Sequence, residues 1–140
     1  GAVLGNATEE QYQALSKYAI LAATTFQLQD DIMDIDKTSQ KGNTYGSDIR
    51  AGKNTLLVIK AREKATQQQL NLLNSILGKM DASEAQVQEA IDIISSTKAL
   101  AYVRELALEK IKQGKKELEK AAIPLEFHLC FADYMINRNI

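Results

Sequence analysis

The chain has 140 residues, 45% of them hydrophobic and 25% charged, which is the size and polarity of one globular domain. Its 17 basic and 18 acidic residues leave a net charge of −1, so no field of one sign exists to attract nucleic acid or an anionic membrane, and no uninterrupted apolar run approaches membrane-spanning length. A single cysteine, Cys130, excludes an internal disulfide, and with no basic-then-apolar leader before the first helix a reducing cytoplasm is the expected compartment.

The chain opens on Gly1-Ala2-Val3-Leu4-Gly5 rather than methionine, as a processed terminus or a fragment would. Apolar residues then recur at spacings of three and four, with one proline and few β-branched runs, which predicts helices throughout and an all-α fold. The first helix is expected from Thr8 or Glu9, with Thr8 as N-cap, to about Asp36. An irregular stretch from Lys37 to Asn54 follows, carrying Gly42, Gly46 and Gly52; a loop of that length inside a compact domain is more often functional than idle. A helix resumes near Thr55. Thr66 and Ser83 read as N-caps, the second with Gln86 as a capping box.

Between Leu100 and Ala121, the residues Leu100, Val103, Ala107, Ile111, Gly114, Leu118 and Ala121 define one buried stripe. Lys112, Lys115, Lys116 and Lys120 lie mostly off it, as a solvated face would. Pro124 interrupts the pattern, and Leu125, Leu129, Ala132 and Ile136 begin a last amphipathic helix ending near Arg138. Cys130 falls in this apolar stretch and is expected to be a buried structural thiol. His128, the one histidine, is expected to pack or to face solvent rather than to act as a base.

The segment Phe26-Gln27-Leu28-Gln29-Asp30-Asp31-Ile32-Met33-Asp34 carries the chemistry. At about 100° per residue with Asp30 as zero, Asp34 falls near 40°, Gln27 near 60° and Asp31 near 100°. These four polar groups share one face, while Leu21, Leu28, Ile32 and Ile35 collect on the other. Asp36, at about 240°, points elsewhere and is left out of the site. Like charges at i and i+4 repel, and acids near a helix C-terminus oppose the macrodipole. Three converging oxygen donors suit Mg²⁺, which takes one or two carboxylates and completes its shell with water and phosphate oxygens. That donor set points to a diphosphate ligand. The same acids also fit a helix end that is merely solvated, but Phe26, Ala23 and Ile20 on the same face suggest an apolar shaft above a metal floor.

After the acids comes Gly42-Asn43-Thr44-Tyr45-Gly46-Ser47-Asp48-Ile49-Arg50-Ala51-Gly52-Lys53, then Thr55-Leu56-Leu57. Glycines let backbone N–H groups approach a phosphate, and Lys53 offers a compact mobile charge. A glycine-bearing turn with a surface lysine would read the same way. Asp48 fits either a hydrogen bond to metal-bound water or the start of a turn.

These residues resemble the trans-isoprenyl diphosphate synthases, the polyprenyl synthetase family that includes farnesyl and geranylgeranyl diphosphate synthases. Phe26-Gln27, Asp30-Asp31 and Asp34 match that family's second aspartate-rich motif, F-Q-x-x-D-D-x-x-D. Gly46-Ser47-Asp48, Gly52-Lys53 and Thr55-Leu56 match the stretch that follows it. The resemblance implies an all-α helical bundle, the C-terminal part of an isoprenoid synthase fold. It implies that Asp30, Asp31 and Asp34 hold Mg²⁺ on an allylic diphosphate, with Asp48 behind them. Lys53 would contact the diphosphate and Gln27 would lie beside the reacting carbons; Phe26 and the terminal basic residue Arg138 would help bind substrate. The implied reaction condenses isopentenyl diphosphate with an allylic diphosphate.

Two departures from the family pattern stand out. Gly42-Asn43 replaces a Gly-Lys pair unless Lys41 substitutes, and Thr55-Leu56-Leu57 replaces Thr-Leu-Pro. The family's first aspartate-rich motif and its isopentenyl-diphosphate-binding basic residues have no counterpart within residues 1–140. The expectation is therefore one helical domain or fragment that needs an N-terminal half or a partner chain, is inactive alone, and belongs to a homodimeric family. A non-catalytic regulatory subunit, favoured by Asn43, is the alternative. A terpene cyclase shares the fold but fits the Phe26-Gln27 signature less well.

Overall fold

Thr8 starts the first helix as the sequence predicts. Its hydroxyl accepts the Gln11 N–H at 3.2 Å while Gln11 Oε1 accepts the Thr8 N–H at 3.1 Å, a reciprocal cap that satisfies two otherwise orphaned donors. The helix that follows, α1, runs Glu9–Asp34, two residues short of the expected end. The computed structural model describes residues 1–38 and 45–123 together with Glu126, His128, Cys130, Phe131 and Tyr134. Among the described residues every regular element is helical: α2 is Ser47–Arg50, α3 Leu56–Lys64, α4 Gln67–Ile76, α5 Glu84–Ser96 and α6 Ala99–Lys120. None of these helices is long and apolar enough to cross a membrane.

Local chemistry sets the starts of α3, α4 and α5. Thr55, Thr66 and Ser83 are extended N-caps whose side chains accept from Val58, Gln69 and Gln86. Both Thr66 and Ser83 form full capping boxes; the one at Thr66 went unread, although Gln69 stands at the required spacing. Within Lys37–Asn54, expected to be irregular, α2 forms a single helical turn. Four residues carry no periodic signal, and α2 is held by tertiary bonds rather than by its own propensity.

The chain divides into two compact units, residues 1–29 with 105–138 and residues 30–104. In the first, Tyr18, Ala22, Ile111 and Leu118 form a buried cluster with Leu15 and Ile123 packed against it. Gly114 faces the Tyr18 ring so closely that an added Cβ would stand 3.1 Å from it. The Tyr18 hydroxyl donates to the His128 carbonyl at 2.9 Å and the two rings meet edge-on at 5.2 Å, so His128 packs as expected; burial pushes the phenol's pKa up.

Cys130 is exposed, which corrects the expectation of a buried thiol. His128 faces Tyr18, and a residue two positions further along a helix points about 200° away. Pro124, Leu125, Leu129, Ala132, Ile136 and Arg138, on which the last helix and its basic end were predicted, lie outside the described residues.

In the second unit α5 is the shared surface for α3 and α4. Leu57, Val58 and Ala61 of α3, Leu73 and Ile76 of α4, and Val87, Ala90, Ile91 and Ile94 of α5 are buried. Along α6 the predicted stripe holds, since Val103, Ala107, Ile111, Leu118 and Ala121 are buried. Leu100 is half-buried, its place taken by Ala99.

Candidate functional site

α1 reaches Asp34, so the helical wheel applies across the whole acidic run. The apolar back behaves as read, with Leu28, Ile32 and Ile35 buried and Leu21 half-buried. The polar face is graded: Phe26 and Gln27 are exposed, Asp30 is half-buried, and Asp31 and Asp34 are buried. Asp36 accepts from both the amide and the hydroxyl of Thr38. These bonds hold its carboxyl below the usual carboxylate range, and it takes no part in the acidic face.

The turn after α1 is built around Asp34. Its carbonyl accepts from Gly46 N at 2.8 Å, its Oδ1 from the Ser47 hydroxyl at 2.5 Å, and its Oδ2 from Asp48 N at 2.9 Å. Gly46 is the N-cap of α2, in a left-handed conformation and with no side chain to cap the helix. The Asp34 carboxylate therefore supplies the missing acceptor at the positive end of that turn. Asp48 occupies the first turn of α2, buried, and pairs through Oδ1 with the Lys53 ammonium at 2.5 Å. The Lys53 amide also donates to the Asp48 carbonyl at 2.9 Å. Asp48 thus both initiates a turn and holds a cation.

Further bonds fix this turn within its unit. Arg50 donates to the carbonyls of Ala82 and Tyr45, the Tyr45 hydroxyl donates to Gln88 Oε1 at 3.0 Å, and Gly78 N donates to the Ile49 carbonyl at 3.0 Å. The predicted Gly42-Asn43 pair and Lys41 lie outside the described residues, as does Arg138.

Asp30, Asp31, Asp34, Asp48 and Lys53 all belong to the unit of residues 30–104. Among the described residues, however, no three acidic, histidine or cysteine groups are gathered closely enough to cage a metal ion. The donor chemistry still fits Mg²⁺, whose octahedral shell is commonly filled by one or two carboxylates plus water and phosphate oxygens rather than by an all-protein cage. Asp34 already accepts two hydrogen bonds, which leaves lone pairs on both oxygens of a group that has about four.

The other unit carries an apolar groove of about 590 Å³ on α1, walled by Tyr18, Ala22, Ala23 and Phe26 together with His128 and Phe131. Phe26 and Ala23 thus line a concave apolar surface. Ile20, read onto the same shaft, instead borders a smaller hollow of about 380 Å³ with Lys17, Gln113 and Glu117.

Sequence reasoning assigned no role to Ser47 or Arg50. The Ser47–Asp34 bond joins residues 13 positions apart across a non-helical turn, so no periodic pattern announces it. Gly46 before Ser47 and Asp48 gives the sequence a partial hint, because glycine suits a left-handed turn and brings no side-chain cap of its own.

Among the described residues the chain is thus all-helical, with the buried Asp31 and Asp34 at the end of its longest helix and a lysine held just after the turn that follows. The chain belongs to the polyprenyl synthetase family, whose sequence profile matches residues 1–94. It is 36% identical to a geranylgeranyl diphosphate synthase of Methanosarcina mazei, over 99% of this chain and 42% of that protein. A geranylgeranyl pyrophosphate synthetase structure from Pyrococcus horikoshii superposes with a TM-score of 0.79 at 32% identity, covering 94% of this chain and 40% of the other. A Caulobacter crescentus polyprenyl synthase, complexed with calcium and isoprenyl diphosphate, gives a TM-score of 0.85 at 26% identity over 99% of this chain and 43% of that one. The chain therefore spans well under half the length of these relatives.

Proposed function

We propose that these residues form the second aspartate-rich, cation-and-diphosphate end of a trans-prenyl diphosphate synthase, which condenses isopentenyl diphosphate with an allylic diphosphate. The observation that carries the reading is the placement of Asp30, Asp31 and Asp34 in one compact unit with the Asp48–Lys53 pair. A hard divalent cation and a diphosphate need opposite kinds of partner, and this unit holds both.

In this reading the carboxylates of Asp30, Asp31 and Asp34 would hold Mg²⁺. Bound there, Mg²⁺ would act as a Lewis acid, offsetting negative charge as it develops on the departing diphosphate. Lys53 contacts the diphosphate oxygens, and Asp48 keeps its ammonium within the site. The family resemblance would give Gln27, in the turn of α1 before the acids, a role toward the allylic carbons and Phe26 one toward the prenyl chain. The reaction breaks an allylic C–O bond, forms a C–C bond to the isopentenyl double bond and releases one proton. The calcium and isoprenyl diphosphate in the Caulobacter relative support this pairing of ion and ligand.

The isopentenyl-diphosphate-binding residues and the first aspartate-rich motif come, on this account, from helices beyond residues 1–140 or from a partner chain, in a homodimer as is usual for the family. These residues alone do not turn over substrate. Asn43, standing where the family has lysine, favours a second reading as a regulatory subunit.

A chimera separates the two. Residues 1–140 would replace the matching region of the Methanosarcina mazei synthase, and transfer of labelled isopentenyl diphosphate would be measured. The catalytic reading expects product that disappears with Asp30→Ala. A folded chimera without product, or the same activity after Asp30→Ala, would contradict it.

A further inference from the structure

We propose that Ser47 is a positioning residue of this site: its hydroxyl fixes the Asp34 carboxylate and ties the turn carrying Asp48 and Lys53 to the end of α1. The inference rests on the reading of the acidic site given above. A carboxylate as buried as Asp34, 3% exposed, is costly to hold in charged form unless its oxygens are hydrogen-bonded. Two consecutive residues meet that need, with Ser47 Oγ on Oδ1 and Asp48 N on Oδ2, while Gly46 N bonds the backbone carbonyl of Asp34 beside them.

Two of these donors are backbone amides that almost any sequence would provide. The hydroxyl of Ser47 is the only one that depends on a side chain. With donors on both oxygens the carboxylate cannot rotate about its Cβ–Cγ bond, so its remaining lone pairs keep fixed directions. With Oδ1 released, one anchor remains and the carboxylate can swing. Because the second anchor is the amide of Asp48, any swing also shifts the residue that holds Lys53 at 2.5 Å. Ser47 therefore acts on both charges of the site through Asp34, and residues in such a supporting position commonly change metal affinity by about 10–100-fold when removed.

The test compares Ser47→Thr and Ser47→Val in the full 140-residue chain. The two side chains have nearly the same shape, and only threonine keeps the hydroxyl. Mn²⁺ binding is followed by its electron paramagnetic resonance signal, with and without inorganic pyrophosphate, beside the melting temperature of each variant. We expect Ser47→Thr to bind Mn²⁺–pyrophosphate like the unaltered chain and Ser47→Val to bind about tenfold more weakly or worse at temperatures where both are folded. Equal binding by the two variants would overturn the role of Ser47 while leaving the acidic site intact. Absence of pyrophosphate-coupled binding in the unaltered chain, with no change on Asp30→Ala, would instead remove the site reading and this inference with it.

Discussion

The Lys53 ammonium lies 2.5 Å from Asp48 Oδ1, yet the lysine side chain remains 63% exposed while the aspartate is 11% exposed. The pair is thus an acid fixed in the fold holding a cation that stays open to solvent. The hydrogen bond to Asp48 raises the Lys53 pKa first, then the charge of Asp48, with Asp34 and Asp31 adding to both. The raised pKa favours the charged form of Lys53.

Lys53→Met should weaken Mn²⁺-dependent pyrophosphate binding by about tenfold or more, since hydrogen bonds between charged groups contribute roughly 1.5–3 kcal/mol. Asp48→Asn should weaken it less, because the amide oxygen can still accept from the ammonium. Calorimetric titration of both variants checks the order; unchanged binding in Lys53→Met would remove lysine from the site.

Gly46 and Gly52 bracket α2 with φ of 68° each. A Cβ on Gly46 would collide with Val87 Cγ1, and one on Gly52 would stand 2.9 Å from Gly78 Cα. Strain in the left-handed region adds to the clash. Gly46→Ala should therefore destabilise the chain by about 2–4 kcal/mol in urea unfolding. A loss under about 0.5 kcal/mol, the ordinary surface range, would show that the turn can rebuild itself.

Adjacent leucines on α4 offer a control for the core. Leu73 is fully buried, whereas Leu72 is 40% exposed. Leu73→Ala should cost about 2–5 kcal/mol and Leu72→Ala about 0.5 kcal/mol or less, read from denaturant midpoints. Similar losses at both positions would mean that α4 does not pack on α5 as described.

Glu117 accepts from Lys120 at 2.8 Å and from Lys17 at 3.4 Å. The hydrogen bond from Lys120, followed by that from Lys17, depresses its carboxyl pKa. A depressed folded-state pKa gives stability that is complete above the unfolded value of about 4.3 and is lost as pH falls through the folded value. The melting temperatures of the unaltered chain and Glu117→Gln should therefore differ slightly at neutral pH and converge in acid. A difference that grows as pH falls would contradict this assignment, and the exposure of both lysines keeps it small.

Most of the helical framework was legible because its signals are local. Thr55, Thr66 and Ser83 announce helix starts, and the stripe from Val103 to Ala121 announces a buried face. The family motif was legible for the same reason, since Asp30, Asp31 and Asp34 follow helical spacing on a helix that does extend to Asp34. What escaped depends on contacts distant in sequence. α2 is too short to show a period and borrows its cap from Asp34. Ser47 acquires its role only when the chain folds back. Cys130 was misplaced because an apolar neighbourhood was taken for a buried position, although its angle from His128 turns it outward.

Crystals of the chain grown with Mn²⁺ and inorganic pyrophosphate would address the central claim most directly, through the anomalous scattering of manganese. The account predicts a peak about 2.0–2.2 Å from a carboxylate oxygen of Asp30 or Asp31, the distance a hard octahedral cation demands, with pyrophosphate oxygens completing the shell near Lys53. Manganese and pyrophosphate ordered elsewhere, with Asp30 and Asp31 directed away from both, would contradict it.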